Sequence, residues 1–406
     1  MRRRNISLFF IINLFLLSFY SCAPTKEGTS FIVVSDTHYL TKEYMNDPLR
    51  NYDEDPIATD GKTVQYNREL FNELLNKVKK EKPTYFIVTG DISYNGDYKS
   101  HVEIASKLQE IKEEGIIPLV IPGNHDTEIE NPRDYSSKQY PSVKNTTIEE
   151  FEEIYQEFGY KDALYRDSNS LSYIVETSND EWLFMMDTTT NRYNYEFGEN
   201  FVYGKIFSLP WLEEKLMEAT ENGKKIISFS HHSMVSHNPL YDTSFLVSNY
   251  KDVQKLYKKY NVKINFSGHL HIQHIAQEEK LYDICSSSLL DYGNRYGKVI
   301  VQGNKLTYNS KTIDFTMEDG SSFSDYSFTL FNNMYLNKRI RDDMSEEEKE
   351  IVRLQALINT YYFDGSTYLH KDLKKRNEYQ KLMENAYFQE IDKSFSSNHH
   401  KVKISL

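Results

Sequence analysis

The chain has 406 residues and carries 60 acidic and 48 basic side chains, which give a formal net charge of -12. This length can bury a substantial core, and it predicts one large domain with an accessory one. A chain this acidic is a poor general binder of nucleic acid, whose affinity comes mainly from Lys and Arg at phosphates. We therefore expect no nucleic-acid polymer as a partner.

The first 21 residues have the pattern of an export signal. Three arginines follow Met1, an uncharged apolar run covers residues 6–20, and Ser21-Cys22-Ala23 supplies small residues at a cleavage point. A run of about 15 residues is short for a membrane span, which needs about 20. Cys22 resembles the lipid-bearing cysteine of a bacterial lipobox. We expect an exported protein, anchored in the cell membrane through a lipid on Cys22 and facing the exterior; plain secretion and an uncleaved anchor stay open.

Strand-like and helical patterns alternate in the next part of the chain. Runs rich in β-branched and aromatic residues predict strands over residues 31–34, 85–89 and 116–121. Between them, apolar residues at helical spacing predict helices around residues 70–78 and 102–111. Strands that alternate with helices through short connections are typical of an α/β domain with parallel strands.

The middle of the chain continues this pattern with longer loops. Polar segments that contain Pro or Gly predict loops over residues 41–62 and 127–146. Thr147 and Glu150 have the spacing of a capping box, which opens a helix. Further on we predict a hairpin over residues 171–176 and 182–187, a helix from Pro210 to Gly223, and strands over residues 226–230, 263–267, 282–286 and 299–302.

The last quarter of the chain changes character at about residue 315. It lacks β-branched strand runs, is rich in Glu, Lys and Tyr, and shows helical spacing. Ser345 and Glu348 form a second capping-box pattern ahead of apolar residues at helical spacing. A further helix is predicted over residues 379–387. We therefore expect a C-terminal helical domain.

Metal-ligand side chains stand just past several predicted strands. Carboxylate and amide oxygens with imidazole nitrogens suit Mn, Fe or Zn better than a soft metal. Seven such residues are too many for one tetrahedral ion, but they fit two divalent or trivalent ions that share a carboxylate. The open end of an α/β sheet is also where ligands bind. The candidate ligands are Asp36, His38, Asp91, Asn124, His231, His269 and His271.

These residues fall in an ordered set of motifs that resembles the calcineurin-like metallophosphoesterase superfamily. The set reads D-x-H from Asp36, G-D at Asp91, G-N-H-D around Asn124, a strand-end His231, and G-H-x-H from His269. The resemblance covers about residues 31–305. It implies a four-layer sandwich, in which two mixed β-sheets are flanked by helices.

The resemblance also implies a role for each residue. One metal takes Asp36, His38, Asp91 and His271; the other takes Asp91, Asn124, His231 and His269. His125 would protonate the leaving oxygen, and Asp126 would support its loop. Asp91, Asn124 and His125 are therefore the expected catalytic residues.

The expected activity is hydrolysis of a small phosphodiester by metal-bound hydroxide. The overall pattern is similar to bacterial class III cyclic-nucleotide phosphodiesterases of an exported lipoprotein branch, so we expect a 3′,5′-cyclic nucleotide as substrate. The expected organisation is a signal peptide over residues 1–21, a tether over residues 22–30, a catalytic domain over residues 31–312 and the helical domain over residues 313–406.

Three other functions stay open. A phosphomonoesterase, or a hydrolase of phospholipid or envelope phosphodiesters, would use the same ligands. An exterior location makes envelope substrates accessible, whereas cytosolic cyclic AMP would not be. A non-catalytic lipoprotein that binds metal or ligand would be expected to lack one or more of the ligands, and none is missing.

For several further residues the sequence allows either a structural or a functional role. Asn95 reads as a turn residue or a contact to the region of His125. His232, next to the ligand His231, is expected to face the pocket or support a ligand. His274 is expected in an exposed loop and His399 in a solvated tail. Cys285 is expected to be buried and inert, because its neighbours are apolar.

Overall fold

The computed structural model describes residues 28–45, 61–191, 203–240, 245–366 and 370–406. The predicted signal peptide, Cys22 and most of the predicted loop over residues 41–62 lie outside these residues, so the export and anchoring of the chain stay predictions. Within the described ranges, no helix is both long and apolar enough to span a membrane.

Strands and helices alternate along the described chain. The strands are β1 (Thr29–Val34), β2 (Tyr85–Thr89), β3 (Ile117–Ile121), β4 (Tyr165–Arg166), β5 (Tyr173–Glu176), β6 (Glu181–Met186), β7 (Lys225–Ser230), β8 (Ile264–Ser267), β9 (His274–Glu278), β10 (Leu281–Cys285), β11 (Arg295–Gln302), β12 (Lys305–Thr312) and β13 (Lys401–Ser405). The helices are α1 (Asn67–Glu81), α2 (Tyr98–Glu113), α3 (Ile148–Tyr155), α4 (Leu209–Glu221), α5 (Tyr250–Lys259), α6 (Phe323–Arg339), α7 (Glu346–Asp364), α8 (His370–Leu373), α9 (Asn377–Leu382) and α10 (Ala386–Ser394).

Two mixed sheets form the centre of the fold. The first has the order β13-β12-β11-β1-β2-β3, with β1, β2 and β3 parallel and β11 antiparallel to β1. The second has the order β4-β5-β6-β7-β8-β10-β9, with β6, β7, β8 and β10 parallel. Helices flank the two sheets. The four-layer α/β sandwich with C-terminal helices is confirmed.

Aromatic side chains fill the space between the sheets. Phe31 of β1 lies 6.3 Å from Phe229 of β7, and Phe229 stacks on Phe266 of β8 at 5.2 Å between ring centroids. All three side chains are buried. Helix α1 buries Leu70, Phe71 and the other apolar residues of one face, as its sequence spacing predicts. The packed core fixes the strands whose carboxyl ends carry the candidate ligands.

The predicted helix starts are confirmed at two places. Thr147 Oγ1 accepts from Glu150 N at 3.1 Å, and the Glu150 carboxylate accepts from Thr147 N in return. Ser345 and Glu348 form the same reciprocal pair at the start of α7. Each pair satisfies two backbone donors that a helix start leaves without intrahelical partners.

The C-terminal segment differs from its prediction in two ways. The single helix predicted over residues 379–387 is wrong: the chain forms α9 and α10, with a break at which Asn385 caps α10 through a bond from Tyr387 N to Asn385 Oδ1 at 2.9 Å. The chain then ends in β13, which pairs antiparallel with β12. The division of the chain near residue 312 stays a prediction.

Two histidines expected at the surface are buried under this segment. His274 is 7% exposed and His399 3%, and their rings stack with centroids 3.9 Å apart. Nδ1 of His274 lies 3.0 Å from Nδ1 of His237, and its Nε2 lies 3.2 Å from Ser394 Oγ. The expectation of an exposed His274 and a solvated His399 is wrong, because the turn before β13 packs on β9: Ile275 N donates to His399 Nδ1 at 3.1 Å, and Gln273 Nε2 donates to the His399 carbonyl at 2.8 Å. Cys285 is buried, as expected.

Candidate metal centre

The carboxyl ends of the parallel strands bring the candidate ligands together. Backbone bonds join the strand ends: Asp36 N donates to Gly90 O, and His38 N donates to Asp91 O, both at 3.0 Å. Across the two sheets, the Asp36 carboxylate accepts from His269 N at 3.0 Å. The fold therefore fixes the loops after β1, β2 and β8 relative to one another.

The backbone of most ligands is in the left-handed region. The φ angles of Asp36, His38, Asp91, His269 and His271 are 52°, 40°, 47°, 68° and 57°. Such angles are uncommon for residues with a Cβ, and each costs about 1–3 kcal/mol unless surrounding contacts compensate. Strain of this kind is concentrated at functional sites.

Close backbone approach explains the glycine that precedes Asn124. A Cβ on Gly123 would overlap the backbone nitrogen and a carboxylate oxygen of Asp91 and would lie 2.9 Å from a ring carbon of His231. Only glycine allows the loop after β3 to approach the loop after β2 this closely. As a result, His125 N donates to Asp91 Oδ1 at 2.8 Å.

The first group of ligands consists of Asp36, His38, Asp91 and His271. Nε2 of His271 lies 3.1 Å from Asp36 Oδ1 and 3.1 Å from Nε2 of His38. His38 Nε2 also lies 3.7 Å from Asp91 Oδ2. Each residue offers one donor atom, and the four atoms lie within 4.8 Å of one another.

The second group shares Asp91 with the first and adds His231 and His269. His231 Nε2 lies 3.4 Å from Asp91 Oδ1 and 3.0 Å from Asn124 Oδ1. Its Nδ1 lies 2.9 Å from the carbonyl of Thr89, which fixes the ring with Nε2 toward the group. All seven predicted ligands are thus brought together, four around each position, with Asp91 in common.

The donor atoms fit metal ions better than they fit one another. The Nε2 atoms of His38 and His271 face each other and the same carboxylate. His269 Nε2 is buried and has no hydrogen-bond partner among the described residues. Because a buried polar atom without a partner is unfavourable, convergent lone pairs of this kind indicate a place for a cation.

The electrostatics of the group favour positive charge. Burial disfavours the charged form of His231, but the Asp91 carboxylate outweighs burial and raises the pKa of His231 to about 9. Burial also opposes the charged form of His271, whereas Asp36 and Asp291 raise its pKa to about 10. The carboxylates therefore stabilise positive charge on His231 and His271, whereas burial lowers the pKa of His38 and of His269. Bound metal ions would supply the positive charge instead.

His125 lies beside the two groups and is oriented by Asn95. The His125 ring is 5.4 Å from the ring of His38, centroid to centroid. His125 Nδ1 lies 3.1 Å from Asn95 Oδ1, and because an amide oxygen only accepts, Nδ1 carries the proton. Burial lowers the pKa of His125, Asp91 opposes this, and Lys62 lowers it further. The structure therefore supports the predicted contact between Asn95 and the region of His125.

Asp126 supports this loop, as predicted. Its carboxylate accepts from the backbone nitrogens of Ile92, Ser93 and Gly123 at 2.8–3.1 Å. Burial, followed by repulsion from Asp91, raises the pKa of Asp126 to about 7. His232, predicted to face the pocket or support a ligand, is buried; its Nδ1 lies 2.8 Å from Thr188 Oγ1, and its ring is 4.3 Å from that of His269.

Sequence reasoning missed two residues at the site. Asp291 Oδ2 lies 2.7 Å from Nδ1 of His271, so it orients that ring and fixes its tautomer. Lys62 adds to burial in lowering the pKa of His38, so its charge acts on the site. The neighbouring Thr63 is fixed by two bonds to the Leu290 carbonyl, at 2.9 and 2.7 Å. Neither residue belongs to a motif, and only the tertiary fold brings them to the ligands.

Comparison with known proteins agrees with this geometry. The family model of the calcineurin-like phosphoesterases matches residues 29–273, more than half of the chain. The chain therefore belongs to the calcineurin-like phosphoesterase family, and it is a metal-dependent phosphoester hydrolase. The sequence has no significant match among curated proteins.

Three solved structures are similar to the chain. A dimetal phosphatase from Danio rerio is 13% identical, with a TM-score of 0.45 and coverage of 70% of this chain and 96% of that chain. A Staphylococcus aureus protein, provisionally assigned as a 5′-nucleotidase and in complex with alpha-ketoglutarate, is 13% identical, with a TM-score of 0.40 and coverage of 81% and 58%. The phosphopantetheinyl hydrolase of Mycobacterium tuberculosis is 12% identical, with a TM-score of 0.33 and coverage of 64% and 90%.

Proposed function

We propose that the chain is a phosphodiesterase with two metal ions and that its substrate is a 3′,5′-cyclic nucleotide. The observation that carries the proposal is the pair of ligand groups that share Asp91, with His125 beside them. Mn, Fe or Zn suit this mixture of oxygen and imidazole donors.

The residues at the site would have separate roles in the reaction. Asp91 and Asn124 hold the two positions together, because Asp91 contributes to both groups and Asn124 Oδ1 lies beside His231 Nε2. The bound ions would supply Lewis acidity, which lowers the pKa of a water and neutralises charge on the phosphate. His125 in its doubly protonated form would keep the Nδ1 proton on Asn95 and donate the Nε2 proton to the leaving oxygen, which leaves the neutral imidazole.

A phosphodiester fits this site better than a monoester does, because of its charge and because His125 can protonate its leaving group. A diester carries one negative charge at neutral pH, whereas a monoester carries nearly two. Lys62 adds a single positive charge that lowers the pKa of both His38 and His125, and one such charge suits the single negative charge of a diester. A cyclic nucleotide releases an alkoxide, which leaves slowly unless it is protonated, and His125 supports that step.

We also propose that the chain is exported and anchored in the membrane through a lipid on Cys22. The Arg-rich start and the Ser21-Cys22-Ala23 sequence support this location. The substrate would then be a small phosphodiester on the outer side of the membrane. A 3′,5′-cyclic nucleotide outside the cell would fit both the site and this location, and an envelope phosphodiester is the alternative.

The first experiment compares three substrates with protein reconstituted with Mn, Fe or Zn. Bis-p-nitrophenyl phosphate tests diesters, p-nitrophenyl phosphate tests monoesters, and 3′,5′-cyclic AMP tests the proposed substrate. We expect turnover of the diester and of cyclic AMP, reduced about 10²–10⁴-fold in Asn124→Ala. Asn76→Ala, an exposed change on α1, is the matched control and should retain full activity.

The outcomes separate the alternatives. Diester cleavage without turnover of cyclic AMP would keep the mechanism and replace the cyclic nucleotide with another phosphodiester. Preference for the monoester would reject the diester proposal. Tight binding of phosphate with no turnover in any metal would favour a binding lipoprotein.

A further inference from the structure

The C-terminal helices line a cavity that is open to solvent on one side and shares no residue with the metal centre. It lies between α6, α7 and the start of α10 and has a volume of about 410 Å³. Cavities that bind small molecules commonly have volumes of 300–1,000 Å³. The cavity is therefore large enough for a ligand of the size of a nucleotide.

Aromatic rings form the walls of this cavity. Phe331 of α6 and Phe363 of α7 have ring centroids 5.1 Å apart, and Tyr387 and Phe388 of α10 lie 5.2 Å apart. Rings arranged in this way favour a planar aromatic ligand, which stacks on their faces or meets their edges.

A buried amide side chain lies at the wall of the cavity. Asn359 lines the cavity and is 4% exposed. Its Oδ1 accepts from the Tyr387 hydroxyl at 2.7 Å, which leaves Nδ2 as the group with unused bonding capacity. Nδ2 is buried and has no hydrogen-bond partner in the described part of the chain. An acceptor atom on a ligand would satisfy this donor.

Among the described residues that line the cavity, one is charged, and it is a cation. Arg339 lies over Tyr335, with its guanidinium carbon 4.4 Å from the ring centroid. Tyr335 thus holds the planar guanidinium, which binds phosphate and carboxylate groups through paired N–H donors. No acidic residue is among the described residues that line the cavity, so charge complementarity favours an anionic ligand.

We propose that this cavity binds a small molecule that joins a planar aromatic ring to an anionic group, with a nucleoside monophosphate as the representative. The ring packs against Phe331, Phe363 and Phe388, an acceptor on its edge meets Asn359 Nδ2, and the anion pairs with Arg339. The site is independent of the proposed substrate, because none of its residues belongs to the metal centre.

The test is calorimetric titration of the metal-loaded full chain with AMP, adenosine and ribose 5-phosphate. Adenosine lacks the anionic group, and ribose 5-phosphate lacks the aromatic ring. Because the proposal requires both parts, each should bind at least about tenfold more weakly than AMP. Arg339→Gln should weaken AMP binding at least about tenfold, whereas Lys338→Gln, its exposed neighbour on α6, should leave it unchanged.

Variants separate this cavity from the metal centre. Asn124→Ala should leave AMP binding in the cavity unchanged, and Asn359→Leu should weaken it, with circular dichroism to verify that the latter is folded. The proposal is wrong if AMP shows no saturable binding up to about 1 mM. It is equally wrong if Asn124→Ala abolishes all AMP binding while Arg339→Gln has no effect, because AMP would then bind at the metals only.

Discussion

The contact between Asn95 and His125 gives the sharpest test of the catalytic assignment. Asn95 Oδ1 accepts the Nδ1 proton of His125 at 3.1 Å, and so fixes the direction of Nε2. Asn95 is not among the candidate metal ligands, so its replacement should leave metal content unchanged. We predict that Asn95→Ala slows only the step in which His125 transfers a proton.

The magnitude follows from one partly buried hydrogen bond. Such a bond contributes about 0.5–1.5 kcal/mol, which corresponds to roughly a 2- to 12-fold loss in kcat when the bond is removed. Asn95→Asp should instead raise the pKa of His125. A carboxylate next to the imidazolium raises the pKa of His125 by about 1–3 units, so the alkaline limb of the pH–rate profile should move to higher pH.

The assay compares two diesters that differ in their leaving groups. p-Nitrophenolate leaves as a stable anion and needs little protonation, whereas the alkoxide of a 3′,5′-cyclic nucleotide depends on an acid. Asn95→Ala should therefore reduce kcat on the cyclic nucleotide severalfold, with KM unchanged, and should reduce kcat on bis-p-nitrophenyl phosphate less than about twofold. Asn76→Ala and Asn76→Asp on the exposed face of α1 are the matched controls.

Two results would refute this reasoning. Equal losses on both diesters would mean that Asn95 supports the metals or the fold instead of the proton transfer. A change confined to KM would place Asn95 in substrate binding. Metal analysis of each variant distinguishes loss of ions from loss of the acid.

Three further predictions concern the metals and the fold. Asp91→Asn removes the carboxylate common to both groups, so metal analysis should show loss of both ions, whereas His271→Ala should lose one; retention of both ions in Asp91→Asn would contradict the sharing. Asp291→Ala removes the partner of His271 Nδ1 and should weaken metal affinity about 10–100-fold, measured by competition with a chelator; unchanged affinity would show that Asp291 has no orienting role. Burial lowers the pKa of His274 and of His399 below the ordinary value of 6.5, so the unfolded chain binds more protons below that pH and stability falls as the pH decreases. Thermal unfolding from about pH 7.5 to about pH 5 should show this loss, and His399→Gln should reduce it; an unchanged pH dependence would contradict the assignment.

The metal ligands could be predicted from the sequence because each follows a clear strand pattern, and parallel strands bring their ends together in the fold. The strands that precede Asp36, Asp91 and Asn124 are buried apolar runs, which the sequence marks clearly. Parallel strands place their carboxyl ends on one edge, so residues distant in the chain must meet. The structure adds the distances between the donor atoms and the partners that orient the His231 and His271 rings.

Residues outside these runs were not predictable from local pattern. Asp291 and Lys62 reach the site from loops, and the bonds of Thr63 to Leu290 that bring those loops together join positions 227 residues apart. The strand β13 has two apolar residues among lysines, so it resembles a solvated tail until β12 supplies its hydrogen bonds. His399 was misplaced for the same reason, because its burial depends on where that strand pairs.

Backbone strain offers a sign of the site that does not depend on motif recognition. Of the twelve described non-glycine residues with positive φ, five are candidate metal ligands. Others in this group have structural causes; Lys82, for example, ends α1 in the left-handed conformation. Asp36 and His38 end no helix, yet both are strained within three residues, and the backbone bonds to Gly90 and Asp91 hold them there. The fold thus gives up stability to aim two side chains at one point, which is the expected mark of a functional site in a sequence that otherwise follows its local preferences.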